Sequence, residues 1–114
     1  MRRLIPLLAL GALAACSGNG DRYAEAKRLI GANCVTCHTV PGIPGANGTI
    51  GPSLAGVAHR ALLAGRFPNT PATMARWIQH PQAMLPGTAM PEMGLTPEQT
   101  RAIADYLYTL DDEK

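Results

Sequence analysis

Five consecutive residues, Cys34-Val35-Thr36-Cys37-His38, restrict what this chain can fold into more than any other feature of it. Two thiols three residues apart can add to the two vinyl groups of one porphyrin as thioethers, and a histidine directly after the second thiol then offers the iron an imidazole nitrogen. A chain attached in this way must fold around haem c. Taken alone, the cysteine pair would also suit a redox Cys-x-x-Cys or half of a zinc site. The first needs a βαβ context, which no segment here suggests. The second needs more ligands, and the chain has no second cysteine pair.

A second axial ligand has to come from the later methionines or histidines. Met90 is the choice, because in Pro86-Gly87-Thr88-Ala89-Met90-Pro91 the prolines can hold an extended loop that points one side chain inward. A thioether is a soft ligand, and His38/Met90 ligation raises the iron potential. Met93 in the same loop is the rival. Met74 reads as core, Met84 as packing, and His59 and His80 as surface or haem-edge residues.

Around the motif the pattern is helical. From Asp21, which can cap, Tyr23, Ala26 and Ile30 share one face until Gly31 and Asn33 end the helix. Residues 34–53 carry four glycines and three prolines and read as a functional loop. Ser53 to Leu63 is expected to be a helix, with Leu54, Val57, Ala58 and Leu62 on one side. Thr70-Pro71 starts another that carries Met74, Trp77 and Ile78 and stops at His80-Pro81. A second loop runs from Pro81 to Gly94. Thr96-Pro97-Glu98-Gln99 then has the form of a capping box, opening a last helix with Ile103, Tyr106, Leu107 and Leu110 inward and Arg101 and Asp105 outward. No run suggests strands, so the class is all-α. Only five aromatics (Tyr23, Phe67, Trp77, Tyr106, Tyr108) serve this core, which a haem would complete.

Residues 1–15 read as a removed signal: Met1-Arg2-Arg3 is basic, and the apolar run Leu4 to Leu13 is too short for the roughly twenty residues that span a bilayer. Leu13-Ala14-Ala15-Cys16 resembles the lipobox of bacterial lipoproteins, which makes Cys16 the lipid-bearing first residue. Residues 16–20 form a short flexible tether reaching at most about 17 Å, and residues 21–114 form the domain. Without Arg2 and Arg3 the ten basic residues fall to eight, level with eight acidic ones. Nothing in that balance points to nucleic acid.

From about Asp21 to Leu110 the chain resembles a mono-haem class I c-type cytochrome. That resemblance implies four to five helices around one covalently attached haem, with Ala26 and Ile30 of the first helix crossing Ile103 and Tyr106 of the last. It also implies that Pro52, in Gly51-Pro52-x-Leu54, orients the iron histidine through its carbonyl, and that Trp77 approaches a haem propionate unless it is simply the largest core residue. The segments Pro68-Asn69-Thr70-Pro71, Trp77-Ile78, Pro81-Gln82 and Pro86-Gly87-x-x-Met90-Pro91 are similar to cytochrome domains associated with haem-copper oxidases, although no copper domain precedes them here.

The implied function is a membrane-anchored, single-electron carrier of a respiratory chain, not an enzyme. It would face the periplasm and meet redox protein partners, namely an electron donor and a terminal oxidase or other acceptor. The alternatives are a haem subunit of a periplasmic dehydrogenase complex, or a haem enzyme or sensor if Met90 is labile.

Overall fold

The computed structural model describes residues 21–110. The expected signal, Cys16 and its tether lie outside the described residues. Helix α1 (Ala24–Asn33) is followed by the long loop, a single 3-10 turn (Val57–His59), and a two-strand hairpin of β1 (Leu62–Leu63) and β2 (Phe67–Pro68). Helices α2 (Pro71–Gln79), α3 (Pro81–Met84) and α4 (Pro97–Leu107) complete the domain.

Each helix start has a local cause. Thr70 accepts a hydrogen bond from the Thr73 amide at 3.1 Å, ahead of Pro71 at the first helical position. Thr96 and Gln99 form the full reciprocal capping box of α4. Asp21 sits two residues before the cap rather than at it: its carboxylate accepts from the Tyr23 amide at 2.9 Å, and Tyr23 itself occupies the cap position of α1.

α4 packs against both α1 and α2. Ala26, Leu29 and Ile30 of α1 and Ile103, Ala104, Tyr106 and Leu107 of α4 are all buried in one core. The four residues expected at the helix crossing are among them; Leu29 and Ala104 join them. Tyr106 also fastens the loop, since its ring lies edge-on to Tyr23 at 5.7 Å and its hydroxyl donates to the Pro41 carbonyl at 2.6 Å.

Three expectations are corrected. Ser53 to Leu63 is not a helix. Gly56 adopts a left-handed φ of 66°, and the Asn69 amide takes the carbonyls of Val57 and Arg60, each at 2.9 Å, that a continuing helix would have used. The chain does contain strands, where Leu62 and Leu63 pair antiparallel with Pro68 and Phe67 around a tight turn at Ala64-Gly65. Both residues have positive φ and form the centre of a turn closed by the Arg66 amide on the Leu63 carbonyl at 2.9 Å, within a three-residue hairpin loop. Finally, the loop from Pro81 holds the short helix α3, favoured by Pro81 at its first position and stopped by Leu85-Pro86.

Candidate functional site

The attachment motif extends α1 by one tight turn. The Cys34 amide donates to the Ile30 carbonyl at 2.9 Å, and the His38 amide donates to the Cys34 carbonyl at 2.9 Å. Residues three apart on such a turn share a face. Cys34, Cys37 and His38 accordingly line one cavity of about 350 Å³.

The residues after the motif hold it from behind. Gly51 donates its amide to the Cys37 carbonyl at 2.7 Å, Gly48 donates to the His38 carbonyl at 3.2 Å, and the Thr39 hydroxyl donates to the Gly48 carbonyl at 3.0 Å. A side chain at Gly48 would put Cβ 2.5 Å from the Cys37 carbonyl carbon and from the His38 nitrogen. One at Gly51 would lie 2.5 Å from His38 Cε1. Glycine is thus required at both positions by close approach, and the sequence reading assigned Gly48 no such duty. Its only signal was the glycine-rich composition of the loop.

His38 Nδ1 lies 2.7 Å from the Pro52 carbonyl oxygen. A carbonyl can only accept, so Nδ1 carries the proton and Nε2 is left with a free lone pair. Trp77, half-buried on α2, lines the cavity and packs against Phe67 with ring centroids 5.8 Å apart. Met90, Met93 and the deeply buried Met74 also line the cavity, whereas Met84, His59 and His80 do not. Arg60 reaches the cavity wall while its guanidinium donates to the Ser53 carbonyl.

These residues fit a covalently bound haem. Most of the wall is apolar, with Ile30, Leu54, Val57, Ile78, Ile103 and Leu107 prominent. Burial, with Cys37 beside it, pushes the Cys34 thiol from 9.0 up to about 11. A site that disfavours thiolate in this way suits sulfur in an uncharged thioether. Imidazole nitrogen and thioether sulfur are donors suited to haem iron.

Comparison with known proteins decides the family: the cytochrome c family model matches residues 23–111. The chain belongs to the cytochrome c family. It is also similar to a cytochrome c2 of Rhodopila globiformis, at 37% identity over 99 residues that cover 75% of this chain and 91% of that protein. The domain is therefore a mono-haem class I c-type cytochrome, with haem c held through a cysteine pair. It is an electron carrier, not an enzyme.

Proposed function

We propose that this cytochrome is a membrane-tethered, single-electron carrier whose haem c is held by Cys34 and Cys37, with its iron between His38 and Met90. The observation that carries this reading is the 2.7 Å bond from His38 Nδ1 to the Pro52 carbonyl, which leaves Nε2 free at a cavity that Met90 also lines. Bound haem supplies a one-electron iron couple. The protein residues set the conditions for it. The Pro52 carbonyl fixes the imidazole tautomer and makes the ring a stronger donor. The thioether of Met90 favours the reduced state, as does an apolar wall that keeps water away. His38 and Met90 together would hold the iron and leave no open place on it for peroxide or gases, and little would need to reorganise as an electron passes.

Optical spectra of the oxidised and reduced holoprotein, beside those of Met90→Ala, test the ligand set. Loss of the sulfur-to-iron charge-transfer band only in the variant is expected. A band that survives the substitution would move the ligand to Met93, which lines the same cavity.

Leu13-Ala14-Ala15-Cys16 supports a lipid anchor in the cell envelope, on the periplasmic side. With a tether of residues 16–20, the anchor would keep the domain near membrane-embedded partners such as a quinol-oxidising complex or a terminal oxidase. Intact mass of the purified mature chain tests it. A diacylglyceryl adduct on Cys16 is expected, and an unmodified thiol at that position would remove the tether from this reading.

A further inference from the structure

Gln82, the second residue of α3, makes three hydrogen bonds with its side-chain amide, all of them to the backbone of residues 87–90. Nε2 donates to the Thr88 carbonyl at 2.7 Å and to the Met90 carbonyl at 2.9 Å, while Oε1 accepts from the Gly87 amide at 3.1 Å. Only one orientation of the amide satisfies two carbonyls and one N–H, so the assignment of its N and O is unambiguous. A fourth bond runs the other way. The Gln82 backbone N–H donates to Glu92 Oε1 at 3.1 Å, so residues on both sides of Met90 are fastened to the start of α3.

The segment between α3 and α4 has no helix or strand of its own. A methionine on such a segment must give up backbone freedom whenever its sulfur is held in place. Gln82 removes that freedom in advance, at Met90 itself and at the turn before it. No other side chain among the described residues bonds to the backbone of 87–90.

We infer that Gln82 is the positioning residue of the axial methionine: it keeps Met90 seated and so governs how readily an external ligand displaces it. This inference rests on the reading of Met90 as ligand, and the test separates the two. Imidazole is titrated into the ferric holoprotein, in the wild type and in Gln82→Ala, Gln82→Glu, Met90→Ala and the double variant Gln82→Ala/Met90→Ala. Binding is followed by haem absorption, and the sulfur-to-iron band is recorded separately.

Gln82→Glu is nearly isosteric and keeps an acceptor for Gly87, but it replaces the donor to Thr88 and Met90. It therefore reports on those two bonds even if the alanine variant matures poorly. With Met90 present, both substitutions should raise imidazole affinity by about tenfold or more, equivalent to about 1.4 kcal/mol. With Met90 absent, Gln82→Ala should change it by no more than about twofold, the usual limit of independent effects. Unchanged affinity in both single variants would overturn the inference. So would an equal rise in both backgrounds, which would make Gln82 part of the pocket wall and nothing more. A wild type without the sulfur band, or a Met90→Ala variant that keeps it, would instead refute the ligand assignment itself and the inference with it.

Discussion

Two glycines show how differently one residue type is constrained in this small domain. Gly48 lies so close to the turn carrying Cys37 and His38 that any Cβ would meet backbone atoms at 2.5 Å. Backbone cannot swing aside as a flexible side chain can. Gly48→Ala should therefore push the attachment turn out of place, lowering the stability of the holoprotein by about 1–3 kcal/mol, as overpacking commonly does. Gly31 is exposed on α1 and has nothing within 4 Å of its missing Cβ. Gly31→Ala should raise stability by about 0.5–1 kcal/mol through better helix propensity. Denaturant unfolding of the two variants decides the point: equal or same-signed shifts would mean that close approach at Gly48 is not what selects glycine there.

At the scale of elements, what could be read from the sequence was what local chemistry decides. Thr70-Pro71 and the Thr96/Gln99 box specify their helix starts within four residues, and both helices begin there. The attachment motif was legible for the same reason, because its chemistry is complete in five residues. Ser53 to Leu63 misled because its apolar spacing suits a helix while its residues serve other ends. Leu54, Val57, Leu62 and Leu63 line the haem cavity, and the backbone around them is held by Asn69, whose Oδ1 in turn accepts from the Tyr108 hydroxyl at 2.6 Å. Those partners lie 9 to 39 residues apart in sequence. No periodicity in the segment encodes them. The same holds for Gln82, a polar residue in a loop until the fold brings the 87–90 backbone to it. Its neighbour Pro81 read as a helix stop and the head of a loop, and the prolines and glycines that follow concealed the four-residue α3.

At the scale of the molecule, the core and the cofactor site are one object. Ile30, Leu63, Met74, Ile78, Ile103 and Leu107 belong to the buried core and also line the cavity, so helices α1, α2 and α4 all meet across it. Without haem this cleft of about 350 Å³ would leave its mostly apolar lining against water. Small domains have only about 5–15 kcal/mol of total stability, so an exposed lining of this kind takes a large share of it. Haem is thus a structural part of the domain as well as its redox centre. Accordingly, Cys34→Ala/Cys37→Ala, produced without haem, should lose near-ultraviolet circular dichroism and unfold without a cooperative transition. Partial helix in α4, with its own capping box, can persist in the far ultraviolet. Thermal and denaturant unfolding of this variant beside the holoprotein make the comparison. A sharp cooperative transition in the haem-free chain would show that the polypeptide closes its own core, and would leave haem with the redox role alone.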